Sequence, residues 1–216
     1  MISLRHPVAV SAVGFGLLTA AVLARLPILA HADAAVHGAA LRYVATHPGW
    51  TAVMRAITTT GTAVVFGPPL AVACLVLLRL RRWWQALLVG VGLPLTLWLR
   101  LLLSQAIARP RPSGWLTSAG GWSFPSGHTA GASTAALIAV VVLWPAVRGR
   151  GGRAVLIGLA ALWAVAVGAS RVALGVHWPS DVVGSWLFVG AVTGTLALLL
   201  HRLARRPRFD PEAPTP

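Results

Sequence analysis

Long apolar segments alternate with short polar segments along most of this 216-residue chain. Each apolar segment is close to the ~20 residues with which an α-helix crosses the hydrocarbon core of a bilayer. Six spans are predicted, at about 8–29, 62–78, 84–103 with a continuation towards 108, 127–144, 154–169 and 182–200. The pattern therefore predicts an all-α, polytopic membrane protein, a bundle of six transmembrane helices.

The connection between the first two spans is polar, with Asp33, His37, Tyr43 and His47, and is followed by an amphipathic segment at about 50–58. An amphipathic helix of this kind is typical of the membrane surface.

The two ends of the chain carry further expectations. Ala30-His31-Ala32 after an apolar run loosely resembles a signal-peptide cleavage site, but the run is long for a signal peptide and favours an uncleaved first span. We expect residues 1–208 to form one membrane-embedded domain and residues 209–216 to form a disordered tail.

Composition and charge favour a membrane protein over one that binds nucleic acid. Hydrophobic residues make up 57% of the chain, and the formal net charge is +14. All eighteen basic residues are arginine, and they stand in short clusters without interleaved aromatic residues. The single cysteine, Cys74, excludes an intramolecular disulfide.

The arginine clusters predict the orientation of the bundle. If the spans alternate, one side receives Arg5 and the clusters within 79–82, 148–153 and 202–208. Because cytoplasmic loops carry an excess of basic residues, this side and both termini should be cytoplasmic in a multi-pass protein of the cell membrane. The connections at about 29–50, 109–125 and 170–181 then lie on the non-cytoplasmic face.

This pattern has exceptions in Arg109, Arg111 and Arg171, which lie on the face that the pattern predicts to be poor in positive charge. An anion-binding site explains their position, since the guanidinium group holds phosphate oxygens through paired, charge-assisted hydrogen bonds.

Two histidines accompany these arginines. His177 is followed four residues later by Asp181, one of only four acidic residues, and His128 stands in Pro125-Ser126-Gly127-His128. Both segments have an ordinary interpretation as helix starts, with Ser126 as a cap. Together, however, they place a nucleophile, an orienting carboxylate, a proton donor and cations on one face, as phosphoryl transfer requires. The other histidines are interpreted as polar anchors: His6, His31, His37, His47 and His201.

The order and spacing of these motifs resemble the type 2 phosphatidic acid phosphatase superfamily of membrane lipid phosphate phosphatases. Arg111-Pro112, Pro125-Ser126-Gly127-His128, and Ser170-Arg171 with His177 and Asp181 are similar to its three signature motifs. The six spans extend the resemblance over about residues 8–203. One position departs from the family: Ser104 stands where the first motif has a lysine. Arg100 lies one helical turn earlier, on the same helix face.

The resemblance implies a role for each residue. His177 would form a phosphohistidine, Asp181 would orient it, and His128 would protonate the leaving oxygen and then activate water. Arg111, Arg171, Ser126 and Gly127 would bind the phosphoryl oxygens, with Arg100, Ser104 and Arg109 as further candidates. The resemblance implies neither a metal nor a cofactor, and one motif carboxylate is too few for a two-metal site.

The implied substrate is a lipid phosphate or pyrophosphate of the bilayer, split at the outer face. A polyprenyl pyrophosphate is favoured by analogy, and phosphatidic acid and phosphatidylglycerol phosphate are the alternatives. Three other functions stay open. A transporter would also use an intramembrane arginine. Vanadate-dependent haloperoxidases have a similar anion site but are soluble. The missing lysine is compatible with a degenerate relative that binds lipid.

Overall fold

The computed structural model describes residues 5–204, and this part of the chain forms eight α-helices and no strand. The helices are α1 Arg5–Leu23, α2 Pro27–Thr46, α3 Pro48–Thr60, α4 Ala63–Arg79, α5 Trp83–Ile107, α6 Gly127–Leu143, α7 Arg150–Ala173 and α8 Pro179–Ala204. Five helical segments of the described chain are long and apolar enough to cross a membrane, and α6 is a shorter apolar helix. The predicted all-α membrane bundle is confirmed. The predicted disordered tail lies outside the described residues.

The first span ends earlier in the structure than the sequence predicts. α1 stops at Leu23 because Arg25 adopts a left-handed conformation, with φ of 49°, and the Leu26 N–H turns back to the carbonyl of Ala21 at 3.1 Å. Pro27 then occupies the first turn of α2, where its fixed φ suits a helix start. The predicted polar connection is therefore a 20-residue helix.

The amphipathic segment forms α3, which packs against α7 and buries Met54 and Thr58. Its predicted helical conformation is confirmed. α3 continues through a short turn into α4, and the two together make one of the five apolar segments, Pro48–Arg79.

α6 lies at the centre of the bundle, where it packs against α5, α7 and α8. Most of its buried side chains are small, which lets neighbouring helices approach closely. A Cβ at Gly131 would lie 3.0 Å from the Phe66 ring, so this position leaves little room for a larger residue. α5 and α8 are joined by a buried hydrogen bond of 3.0 Å between the hydroxyl groups of Thr96 and Thr193.

Four helix ends bring the predicted chemical residues to one end of the bundle. α5 and α7 end there, and α6 and α8 begin there. α7 runs four residues beyond its predicted end at Ala169, so Arg171 is in its last turn rather than in a loop. The arginines within 79–82 and 148–153 lie at the other ends of these helices, away from the site.

Candidate active site

His177 lies in the short connection between α7 and α8, at residues 174–178. The turn depends on Gly175, which has φ of 73°, and whose Cβ would lie 2.9 Å from the Gly114 carbonyl oxygen. His177 is almost completely buried, and its Nδ1 is 3.4 Å from Asp181 Oδ2, longer than an ordinary hydrogen bond. The same carboxylate oxygen accepts the Trp178 N–H at 2.8 Å, which fixes Asp181 in the first turn of α8.

The other ring nitrogen of His177 is held by Arg111. Arg111 NH1 lies 3.0 Å from His177 Nε2, and because a guanidinium can only donate, Nε2 must be the acceptor. The imidazole is therefore the tautomer with its proton on Nδ1, on the side of Asp181. The remaining N–H groups of Arg111 donate to the carbonyl oxygens of Gly120, Gly121, Trp122 and Val176, at 2.7–3.1 Å.

A cavity of about 350 Å³ opens beside His177. It is lined by Arg100, Arg111, Ser118, Ala119, Gly120, Gly127, His128, Arg171 and His177. Gly127 begins α6, whose first N–H groups have no acceptor inside the helix and favour an anion. The N-termini of α6 and α8 are adjacent, since the Ser126 N–H donates to the Asp181 carbonyl oxygen at 3.3 Å.

Ser126 and Ser104, two of the predicted site residues, are not among the residues that line the cavity. Ser126 is fully buried and makes no side-chain capping bond, so its predicted capping role is wrong. Its hydroxyl accepts a hydrogen bond from Thr129 at 3.0 Å instead. Ser104 is buried within α5.

Arg100 and Arg171 are the cavity arginines with unused donors. Arg100 donates through Nε to the Pro125 carbonyl oxygen at 2.7 Å, and its two terminal nitrogens have no acceptor among residues 5–204. Arg171 donates through NH1 to the Thr58 hydroxyl at 3.0 Å, and its buried Nε has no partner in that part of the chain. A Cβ at Gly127 would lie 3.4 Å from the Arg100 guanidinium carbon.

Arg109, a further predicted candidate, does not line this cavity. Its NH1 donates to Ser180 Oγ and to Asp181 Oδ1, both at 2.7 Å, and its NH2 donates to Asp33 Oδ2 at 2.7 Å. Arg109 therefore joins two carboxylates. The sequence did not single out Asp33, although it is the only acidic residue before Asp181 and that scarcity was a signal.

His37, predicted to be a polar anchor, is largely buried on α2. Its Nε2 lies 3.1 Å from the Ser113 carbonyl oxygen, and its ring packs 5.3 Å from the Trp178 ring. The structure thus places it against the loop that carries Arg111.

A family model supports the resemblance that the motifs suggested. The model described as the PAP2 superfamily matches residues 85–206, more than half of the chain. The chain belongs to the PAP2 superfamily. The match contains Arg100, Arg111, His128, His177 and Asp181, whereas Asp33 lies before it.

Two PAP2-type enzymes illustrate the similarity. Phosphatidylglycerophosphatase B of Escherichia coli K12 is 40% identical over 83 residues, which cover 38% of this chain and 31% of that protein. The chain thus matches about a third of the length of this curated relative. The crystal structure of the transmembrane PAP2-type phosphatidylglycerolphosphate phosphatase from Bacillus subtilis has a TM-score of 0.75 and 27% identity, covering 92% of this chain and 100% of that chain.

A third protein is more distant in shape. The crystal structure of Aquifex aeolicus LpxE has a TM-score of 0.52 and 26% identity, covering 71% of this chain and 87% of that chain.

The electrostatic environment of His177 favours a neutral imidazole. Burial lowers the pKa of His177 to about 4, the nearby Asp181 opposes this shift, and the positive charges of Arg111 and Arg171 add to it. Nε2 therefore keeps its lone pair at neutral pH.

Within residues 5–204, no group of three or more His, Cys, Asp or Glu side chains is placed to hold a metal ion.

Proposed function

We propose that this PAP2 protein is an integral-membrane lipid phosphate phosphatase that works through a phosphohistidine on His177. The observation that carries the proposal is the buried pair of His177 and Asp181, 3.4 Å apart, at the wall of a cavity lined by three arginines. A neutral imidazole beside clustered cations suits attack on a phosphate ester, whose negative charge the cations would stabilise.

The geometry supports a two-step mechanism. His177 Nε2 attacks phosphorus, the bond from phosphorus to the leaving oxygen breaks, and His128 gives that oxygen a proton. Because Arg111 occupies Nε2 in the structure, its NH1 must leave the nitrogen as the phosphate enters, and it then faces a phosphoryl oxygen. In the second step, water attacks phosphorus while His128 accepts a proton from it. The bond between phosphorus and Nε2 breaks, its electron pair returns to His177, and phosphate is released.

Four groups bind the phosphoryl oxygens in this mechanism: NH1 of Arg111 once it has left Nε2, the free guanidinium donors of Arg100, those of Arg171, and the N–H at Gly127. Asp181 faces Nδ1 of His177 at 3.4 Å and stabilises the positive ring that forms on attack. Ser126 and Arg109 contribute through the structure around the cavity rather than by touching the phosphate.

Phosphatidylglycerol phosphate is the proposed substrate, because two of the similar proteins carry that activity in their names. This differs from the polyprenyl pyrophosphate that the sequence favoured by analogy. Phosphate release from purified protein in detergent tests both substrates. Phosphatidic acid serves as a third substrate, and H177A gives the background rate. A kcat/KM for phosphatidylglycerol phosphate at least about tenfold above the others, equal to about 1.4 kcal/mol, is expected. Preference for the pyrophosphate would overturn the substrate assignment, and no turnover of any of them would overturn the phosphatase function.

The same proposal places the cavity on the non-cytoplasmic face of the cell membrane, with both ends of the chain in the cytoplasm. With Cys74 replaced by serine, Ser118→Cys should react with an impermeant thiol reagent in intact cells. Gly151→Cys, at the arginine-rich end, should react only after lysis. Reversed labelling would place the chemistry in the cytoplasm.

The pH profile should reflect the lowered pKa of His177. As the pH falls through about 4, the imidazole takes up a proton, Nε2 loses its lone pair and activity falls. We therefore expect kcat/KM to fall on the acid side of the profile with a midpoint near pH 4, where His177 is protonated. Substrates with different second phosphate pKa values separate this fall from ionisation of the substrate. An acid-side fall near the ordinary histidine pKa, at the same pH for every substrate, would contradict the buried, neutral nucleophile.

Arg100 should supply positive charge that the family lysine gives elsewhere, because its unpaired guanidinium donors line the cavity and Ser104 does not. Arg100→Ala should lower kcat/KM by more than about tenfold, or about 1.4 kcal/mol of transition-state stabilisation. Ser104→Lys in that background should restore part of the loss. Arg79→Ala, an exposed arginine at the other end of the bundle, is the matched control. Parental turnover in a folded Arg100→Ala protein would show that Arg111 and Arg171 suffice.

A further inference from the structure

Asp33 on α2 is a buried carboxylate whose partners all lie near the start of α8 and the end of α5. Its Oδ1 accepts the Ser180 N–H at 2.9 Å, and its Oδ2 accepts the Ser180 hydroxyl at 2.5 Å and Arg109 NH2 at 2.7 Å. Its residue exposure is 2%. Asp33 thus caps the first turn of α8 from another helix and pairs with Arg109 at the same time.

Arg109 carries this interaction to the catalytic pair. The same guanidinium bonds Asp33 through NH2 and Asp181 through NH1, each at 2.7 Å. Within residues 5–204, these are the only two acidic side chains, and they share this one arginine. Because all three groups are largely buried, their charges are weakly screened by water.

Asp33 does not reach the substrate. It lines a separate cavity of about 470 Å³, together with Leu29, Ile107, Arg109 and Trp178, and this cavity shares none of its lining residues with the one beside His177. Any effect of Asp33 on catalysis must therefore pass through Arg109 and the first turn of α8.

We propose that Asp33 is a positioning residue for phosphoryl transfer, acting through Arg109 and the first turn of α8 to keep Asp181 aligned with His177 and its charge directed at the imidazole. The proposal rests on the phosphatase function proposed above. When Nε2 attacks phosphorus, the His177 ring becomes positive and Asp181 stabilises it. Arg109 competes for the charge of Asp181, and Asp33 offsets this competition by taking up part of the positive charge of Arg109. Its bonds to Ser180 hold the helix turn in which Asp181 sits.

The first test is Asp33→Asn, which keeps the size and an acceptor for the Ser180 N–H but loses the charge. We expect kcat to fall by about 10–100-fold while KM stays within about twofold, since the cavity beside His177 is untouched. The loss should be the same for substrates with good and poor leaving groups, because Asp33 acts on the nucleophile and not on the proton donor. Asp33→Glu, which keeps the charge, should retain part of the activity.

The control variant is Val44→Ala, which removes buried apolar volume near the other end of α2. Val44 lies about 16 Å from Asp33 along the helix axis. This variant should lower the thermal stability but leave kcat within about twofold of the parent. A kcat loss in Val44→Ala equal to that in Asp33→Asn would show that loosening α2 is sufficient, and would overturn the proposal.

The decisive comparison is between R109Q and the double variant D33N/R109Q. Asp33→Asn keeps an acceptor for the Ser180 N–H, so the loss it causes should pass through Arg109. R109Q and the double variant should then have the same kcat within about twofold, and this holds even if Asp33→Asn alone does not fold. A further loss of more than about threefold in the double variant, or an unchanged kcat in folded Asp33→Asn, would overturn the proposal. A parent protein without phosphatase activity would overturn the proposed function first, so the two failures are distinguishable.

Discussion

Replacing His177 with alanine should abolish turnover. His177 is the cavity histidine whose ring is almost completely buried with Nδ1 facing Asp181, and replacing it removes the proposed nucleophile. Loss of a nucleophile of this kind lowers kcat by more than about four orders of magnitude. Phosphate release from the purified variant measures the effect.

His31→Ala is the matched control, because His31 is an exposed histidine on α2 outside the cavity and should turn over like the parent. Thermal denaturation in detergent shows whether each variant is folded. Turnover by folded His177→Ala within about tenfold of the parent would remove His177 from the mechanism.

Replacing Asp181 with asparagine should have the second largest effect, a fall in kcat of roughly two to four orders of magnitude. The amide keeps the size of the carboxylate but cannot stabilise a positive imidazole. It also places an N–H group toward Nδ1 or Trp178, which disfavours the Nδ1–H tautomer that the Arg111 contact requires. Steady-state kinetics with phosphatidylglycerol phosphate give kcat and KM separately.

The Asp181→Asn loss should exceed that of Asp33→Asn, because Asp181 faces the imidazole and Asp33 acts through Arg109. The reverse order in folded proteins would mean that the carboxylate facing His177 is not the group that supports it.

The spans were predictable because their signal is local. α5, α6 and α8 follow from predominantly apolar runs, and the continuation of α5 towards 108 is confirmed by its end at Ile107. The end of α1 was not predictable in the same way, because the apolar run continues past Arg25 while the backbone turns there. α2 was missed because two of its polar residues, Asp33 and His37, are buried by long-range partners. The sequence pattern alone shows only a polar connection.

In the candidate site, too, some contacts follow from local geometry and others depend on long-range packing. His177 and Asp181 are four residues apart at a helix start, so their proximity follows from local geometry. The hydrogen bonds of Arg111 depend on the path of the loop at 120–122, which places carbonyl oxygens around the guanidinium. The pairing of Arg109 with Asp33 and that of Arg171 with Thr58 join residues 76 and 113 positions apart. Such contacts are set by helix packing and leave no spacing signal.

Trapping of the phosphorylated enzyme tests the central role of His177 most directly. Enzyme quenched in alkali during turnover of lipid with a radiolabelled phosphate should carry the label on His177, since a phosphohistidine survives base and is lost in acid. His177→Ala should carry none. Label on another side chain, an acid-stable label, or a labelled His177→Ala protein would contradict the phosphohistidine mechanism.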